Sequence, residues 1–563
     1  MTLLTQANVR EQFPIVSQQL DNNSLIYFDN AATSQKPWPV INAETKFYQQ
    51  QNANVHRASH QLSSQATRLF EQSRYSIQQL INAPLKEQII WTKGATEAIN
   101  LVAHSWGIAT LTAGDEIVLS YAEHHANIVP WQLVAEKTGA NIIVLPLTSQ
   151  GVIDISVLAQ VITTRTKIVC CSYISNVLGK INPIEKIISA AKRVGAITLI
   201  DGAQAVAHFS VDVQALDCDF FVFSAHKMYG PTGVGVLYGR YALLEMMPPY
   251  QAGGEMIEQV SFINSTYREP PFKFEAGTPN IAGIVAFAAA IEFLQNNLTT
   301  VLQPLEQTLL HYCYRQLNQI KGLQFIVDDC PDIAIFAFTI DNIHSFDVAA
   351  ELDSKGIAVR SGHHCAMPLM SYLQISGCVR VSLAPFNTKA EIDKLCQCLQ
   401  SLVNDNDKLD GTDIAQSVVS TKPSATTIQL DEILRRFPNH LAWDARHREI
   451  MLLAKTLNKM SKLQRIEEHL IAGCESVAWL TASLTTQGHF TFQADSDAKI
   501  IRGLLVIIIA AYQHKSAKQI LAFDIDGYFE HLGLLQHLSP SRGNGVKAIV
   551  QRIKSLVSTF TKV

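Results

Sequence analysis

Two apolar runs that each lead into a charged residue constrain this chain more than any other feature. Ala196-Ile197-Thr198-Leu199-Ile200 leads into Asp201, and Phe220-Phe221-Val222-Phe223 leads through Ser224-Ala225-His226 to Lys227. Gly202 follows the first and Gly230-Pro231 the second, so each reads as a buried strand that breaks into a loop. A lone lysine after a strand is ordinarily a solvated surface residue. Held partly out of water, its amine has a depressed pKa and suits Schiff-base chemistry. The acid that ends the earlier strand decides between these readings. An acid that keeps a pyridine nitrogen protonated, with a lysine that holds an aldehyde as an imine, is what pyridoxal 5'-phosphate requires.

At 563 residues the chain is too long for one core and predicts several domains. A hydrophobic content of 47% with 17% charged residues is that of a soluble globular protein. The net charge of -4 gives no electrostatic footprint for nucleic acid or an anionic membrane. The N-terminus lacks the basic start and apolar stretch of a signal peptide. Gly503 to Tyr512, the greasiest run, is too short to span a bilayer and reads as a buried helix. Ten cysteines without an export signal, none in C-x-x-C spacing, predict reduced thiols and a cytoplasmic setting.

Other segments supply candidates for the rest of a site. Ile89 to Asn100 reads as strand, Gly94 turn and helix start, so Ala95, Thr96 and the free helix N–H groups form a phosphate cradle. Taken alone, Gly-Ala-Thr before a helix is also a plain N-cap. Asn176, after the strand Ile168 to Tyr173, and Gln204 can hydrogen-bond a ring hydroxyl, and Ser224 and His226 add donors to the phosphate. In Arg360-Ser361-Gly362-His363-His364-Cys365, a thiol beside an Arg and two His on a Gly-Pro loop has the electropositive setting of a thiolate. A metal site is the rival, but no spaced partner accompanies these residues. Arg380 carries a fork suited to a substrate α-carboxylate, with Asn176, Arg360 and His363 also beside the substrate.

These segments, with Asp29-Asn30-Ala31-Ala32-Thr33, Asn54-Val55-His56-Arg57, Glu123-His124-His125-Ala126-Asn127 and Glu275-Ala276-Gly277-Thr278, resemble the fold-type-I pyridoxal-phosphate enzymes, specifically the Suf-type (group II) cysteine desulfurases. Ala58 stands where that family has Gly, and Pro385-Phe386 where Met-Tyr is common. The short loop between Cys365 and Arg380 matches group II; group I enzymes carry a longer one. The resemblance implies that the His124 ring stacks on the cofactor and relays protons. It implies also that Thr278 reaches the phosphate in the neighbouring subunit of a homodimer.

Leu402 to Gln429 is rich in Asn, Asp, Ser, Thr, Gly and Pro and reads as a linker. Beyond it, Trp443, Ile450, Leu453, Leu457 and Met460 fall on one helical face, as do Val546, Ile549, Ile553 and Leu556. Gly473-Cys474-Glu475-Ser476-Val477-Ala478-Trp479, Asp495-Ser496-Asp497-Ala498 and Ser539-Pro540-Ser541-Arg542 resemble the SufE sulfur acceptors, with Glu475 and Val477 departing from the usual Gln. Without that resemblance Cys474 would read as a buried, inert thiol.

The expected architecture is therefore an α/β fold-type-I transferase, with a large domain of mainly parallel sheet and a small α/β domain, followed by a separate α+β SufE-like domain. The expected boundaries are an N-terminal helical arm to residue 20, the large domain 21–290, the small domain 291–403, a linker 404–428 and the acceptor domain 429–563. The resemblance implies conversion of L-cysteine to L-alanine, with sulfur passing from Cys365 to Cys474 and on to a Suf-type iron–sulfur scaffold. Selenocysteine lyase or kynureninase-like activity is the enzymatic alternative; a C-terminal module that only docks and regulates is the other.

Overall fold

The computed structural model describes residues 4–5, 7–20, 23–57, 59–413, 429–438, 443–461, 463–472, 476–534 and 540–560. Cys474 with Gly473 and Glu475, Ala58, Ser539 and the expected linker residues 414–428 lie outside them. The chain forms two compact units, Met1–Phe338 with Gly356–Gln397, and Thr339–Lys355 with Cys398–Val563.

A seven-stranded sheet forms the centre of the first unit. Its strands are β1 (Ile89–Thr92), β2 (Glu116–Ser120), β3 (Asn141–Leu145), β4 (Thr166–Ser172), β5 (Ile197–Asp201), β6 (Phe220–Ser224) and β7 (Gly235–Gly239). The order is β1-β7-β6-β5-β4-β2-β3, parallel throughout except that β7 runs against both neighbours. Successive residues of a strand face opposite sides, and here both sides are covered. Ile200, Phe221 and Phe223 enter one apolar cluster, while Leu199, Phe220 and Val222 enter a second. Burial on both faces is why these strands read as unbroken apolar runs.

The helix α1 (Ala95–Leu101) follows β1, and α2 (Ile281–Asn297) crosses residue 290 without a break. The expected boundary between large and small domains therefore falls inside a continuous helix, within one compact unit. The helical stretch Ile281–Leu317 is apolar and long enough to cross a membrane by composition, but 61% of its apolar window is buried in the protein. A second sheet holds β8 (Leu323–Phe325), β9 (Ile335–Ile340), β10 (Arg360–Gly362) and β11 (Cys378–Ser382) in the order β8-β9-β11-β10. The N-terminal arm is two 3-10 turns, Arg10–Gln12 and Pro14–Ser17, rather than an α-helix. Pro14 lacks the N–H that a continuing helix would use.

The second unit has its own core. It draws in α3 (Ser345–Asp353), which contributes Phe346 and Ala350. The helix α4 (Lys389–Asp413) runs beyond residue 403, where a linker was expected to begin. Once nucleated, a helix propagates through residues of modest propensity. The helix α5 (Trp443–Ala454) buries Ile450 and Leu453, but it ends before Leu457 and Met460, so the predicted stripe outlasts its helix. Strands β12 (Ala478–Leu484), β13 (His489–Ser496) and β14 (Lys515–Ser516) form an antiparallel sheet in chain order. The helix α6 (Lys499–Tyr512), the greasy run of the sequence, is buried over almost its whole length, and α7 (Pro540–Phe560) buries Val546, Ile549 and Ile553.

The N-terminus of α6 has no cap from its own neighbour Ala498. Asp347 of α3 supplies one: its two carboxylate oxygens accept from Lys499 N–H at 2.9 Å and Ile500 N–H at 3.0 Å. A negative charge suits a helix N-terminus, and losing a cap costs about 1 kcal/mol, with up to ~2 kcal/mol for strong caps. Asp347→Ala should therefore destabilise the second unit by about 1–2 kcal/mol. Asp347→Asn keeps one acceptor oxygen and should fall between the two. Calorimetric unfolding of the three proteins checks the order; equal stability would show that the cap contributes nothing.

Candidate active site

Strand pairing brings the sequence candidates to one edge. Asp201 ends β5 and lies opposite Val222 of β6, two residues short of Ser224, where β6 ends. Gly235, at the start of β7, pairs with both Ser224 and Thr92. The ends of β1, β5 and β6 therefore meet the start of β7 along one rim. Asn176 follows β4 there and His124 follows β2. Loops beyond the carboxyl ends of parallel strands are where open α/β sheets place ligands.

At this rim the backbone approaches itself closely. A Cβ on Gly235 would stand 2.3 Å from the Gly94 Cα, so only glycine fits. The Ala95 N–H donates to Ser224 Oγ at 2.8 Å, tying the start of α1 to the end of β6. Gly94 gives α1 no side-chain cap, and Thr96 is exposed in its first turn.

Lys227 lies on the 3-10 turn Ala225–Lys227. Burial pushes its amine below the ordinary lysine value, and Arg380 and Arg360 push the same way, while Asp201 and Cys365 pull upward. Burial raises the Asp201 carboxyl, against the pull of Lys227 and of the Ala203 N–H that donates to it at 2.9 Å. Burial and the nearby cations, Lys227 first among them, bring His124 down to about 4. Its Nδ1 accepts from Ala126 N–H at 3.1 Å, so the ring is neutral with its proton on Nε2. His226 is likewise lowered to about 4, by burial, Lys227 and Lys36. Its carbonyl oxygen accepts from Ser34 N–H at 2.9 Å and Thr33 Oγ1 at 3.1 Å, which fixes the loop before Lys227.

The small sheet carries the other half of the site. Arg380 of β11 is buried and lies directly across from exposed Arg360 of β10. Its guanidinium donates to Asp29 Oδ1 at 3.0 Å and to the Asn176 carbonyl at 2.8 Å, while its buried Nε has no partner among the described residues. An incoming carboxylate would compete with Asp29 for this fork. Asn176 Nδ2 donates to the His364 carbonyl at 2.9 Å and Gln204 Nε2 to the Ala31 carbonyl at 2.8 Å. Both amides are thus partly engaged with protein, leaving their oxygens for a ligand. His363 is half-buried just before the Cys365 turn.

Of the nine described cysteines, Cys365 alone is exposed. Burial raises Cys170, Cys171, Cys218, Cys313, Cys378 and Cys396, which are sealed in the core as thiols. Thr278 is not drawn to Lys227 within this chain. It is exposed in a surface cavity that it shares with Lys93, Glu97 and Gly233. Two residues of the site had no role in the sequence reading. Asp29 was one of a matched string of residues, and nothing in its spacing paired it with Arg380. Glu123 is fully buried and raised to about 7, chiefly by burial. It accepts from Asn127 Nδ2 at 2.7 Å and from Ser172 N–H at 3.1 Å, and so supports the turn that carries His124.

In the second unit Asp495 is wholly buried and accepts from Met460 N–H at 2.9 Å, with Arg465 at 2.5 Å and Arg502 also paired to it. The Ile471 N–H donates to the Ala478 carbonyl at 2.9 Å. These bonds fix the chain on both sides of the segment that contains Cys474.

Residues 26–395 match the Aminotransferase class-V family, and residues 431–557 match the SufE, Fe-S metabolism associated, domain. A probable cysteine desulfurase of Vibrio cholerae is 47% identical over 70% of this chain and 98% of its own length. A cysteine desulfurase of Yersinia pestis is 47% identical over 70% and 97%. The crystal structure of the cysteine desulfurase CsdA of Escherichia coli is 39% identical, with a TM-score of 0.66, covering 72% of this chain and 99% of that one. The apo cysteine desulfurase of Thermococcus onnurineus is 36% identical with a TM-score of 0.68, over 72% and 99%. The chain belongs to the class-V aminotransferase family, as a cysteine desulfurase that carries a SufE domain in the same polypeptide.

Proposed function

We propose that the protein converts L-cysteine to L-alanine with pyridoxal 5'-phosphate, takes the sulfur onto Cys365 as a persulfide and passes it to Cys474. The single observation that carries this reading is that Cys365 alone of the described cysteines is exposed, and that it is close enough to Lys227 to act on its amine, while the others are buried or half-buried. The class-V aminotransferase family is dependent on pyridoxal phosphate. The residues at the rim fit that group. The uncapped start of α1, with Ala95, Thr96, Ser224 and His226, suits the phosphate. Asp201 suits a protonated ring nitrogen, whose charge would offset the burial of its carboxylate. The neutral His124 ring suits the ring face, and the oxygens of Asn176 and Gln204 suit the ring hydroxyl. Bound there, the cofactor supplies a carbonyl that condenses with amines and a ring that takes up electrons.

This chain's residues do the rest. Arg380, with Arg360 and His363 beside it, holds the substrate carboxylate in the fork that Asp29 otherwise occupies. Lys227, depressed by burial and by the two arginines, takes the α-proton as a neutral amine. His124 offers its Nε2 proton at neutral pH. The Cys365 sulfur attacks the substrate sulfur, a sulfur–sulfur bond forms and the carbon–sulfur bond breaks. The carbon takes a proton and leaves as alanine. Atoms and electrons balance with no outside oxidant: one thiol and cysteine give one persulfide and alanine. Cys474 then attacks the outer sulfur by the chemistry of thiol–disulfide exchange, which restores Cys365.

The SufE domain supports sulfur supply to iron–sulfur assembly as the purpose, with a Suf-type scaffold as the next acceptor. The buried thiols of Cys170, Cys171, Cys218, Cys313, Cys378 and Cys396 fit a reducing, cytoplasmic setting. The exposed Thr278, beside the start of α1, fits a homodimer in which it completes the partner's phosphate site.

Cys365→Ser should bind cysteine and exchange its α-proton with solvent deuterium, yet deliver no sulfur to any acceptor. Pyruvate, ammonia and sulfide at the parental rate from that variant would mean simple elimination and would sink the persulfide reading. Gly235→Ala forces the Gly94 turn away from β7 and should weaken pyridoxal phosphate by an overpacking cost of about 1–3 kcal/mol. A spectroscopic titration of the apoenzyme reads that loss, and parental affinity would place the phosphate elsewhere.

A further inference from the structure

We infer that His125 is the positioning residue that holds the Cys365 thiol in its working place, by clamping the chain at Cys365 itself and just after it. The inference rests on the reading of Cys365 as the first sulfur acceptor. His364 and Cys365 are consecutive non-glycine residues in the left-handed region, at φ +53° and +56°. L-residues avoid that conformation, and such strain persists only where the surroundings over-determine it. Here they do. Asn176 Nδ2 donates to the His364 carbonyl at 2.9 Å, and His364 Nε2 bonds the Cys378 carbonyl at 3.1 Å. Those bonds hold the residue before the thiol.

The thiol's own residue and the chain after it are held by His125. Its backbone N–H donates to the Cys365 carbonyl at 2.8 Å, and its Nε2 accepts from Met367 N–H at 2.9 Å. Because Nε2 accepts, the ring proton sits on Nδ1. Burial, and secondarily His363, favour the neutral ring and keep that lone pair available. The base under the clamp is rigid. His125 opens the 3-10 turn His125–Asn127, which Glu123 supports through Asn127. The preceding residue, His124, is the ring assigned to the cofactor, so one turn sets both the ring that faces the reaction and the thiol that completes it.

A nucleophile misplaced by about 1 Å can lose roughly a hundredfold in rate. His125→Ala removes the ring acceptor but keeps the backbone donor; His125→Gln returns an acceptor at similar reach. In the holoenzyme with cysteine, His125→Ala should lower single-turnover persulfide formation on Cys365 by roughly tenfold to a hundredfold. It should leave KM and α-proton exchange near parental, because both precede sulfur transfer, and His125→Gln should recover most of the loss. Independently of turnover, hydrogen–deuterium exchange of the peptide spanning residues 363–367 should quicken in His125→Ala and slow again in His125→Gln. Unchanged exchange in His125→Ala, or a parallel loss of persulfide formation and α-proton exchange, would overturn the clamp. If the parent itself formed no persulfide on Cys365, the functional reading would fall, and amide exchange would still decide whether the clamp exists.

Discussion

The attraction between Lys227 and Asp201, held out of water at the ends of adjacent parallel strands, is the constraint on which the rest of the site depends. Each charge is unfavourable where it stands, and each draws the other back toward its charged form. The balance leaves Lys227 below its ordinary value, a shift of the kind that concentrates at reaction centres. Two apolar clusters on either side of the sheet keep water from the strands that carry the pair. Arg380 and Arg360, paired across the small sheet, reinforce the shift.

Much of this was legible in the sequence, for physical reasons that can be named. Strands covered on both faces are apolar at every position, so β5 and β6 stood out, and a charge at the end of such a run is conspicuous. Cys365 stood out through its Arg and His neighbours, and exposure separates it from the wholly buried thiols. Side-chain partners from distant segments were not legible. The Asp29–Arg380 pair, the cap that Asp347 gives α6 and the burial of Asp495 between two arginines are products of tertiary contact. His125 was visible only as one letter of a matched string, because its work is done by a backbone N–H and a ring lone pair. The boundaries misread had local causes. The helix α4 continues through Asn- and Asp-rich sequence to Asp413, and α2 runs straight across the expected domain border.

The two families stand in one polypeptide, each in its own matched segment. In the first unit Cys365 sits on a strained turn held by hydrogen bonds from several segments. In the second, the wholly buried Asp495 holds the Met460 N–H and pairs with Arg465.

Mass spectrometry of the holoenzyme after a single turnover with cysteine tests the central claim most directly. Peptides containing Cys365 and Cys474 are followed through a rapid-quench series. The account predicts one extra sulfur on Cys365 at the earliest times, its decay matched by the rise of one extra sulfur on Cys474, and accumulation on Cys365 alone when Cys474 is Ser. Alanine formed while neither peptide gains mass, or sulfur on Cys474 in a Cys365→Ser protein, would contradict it.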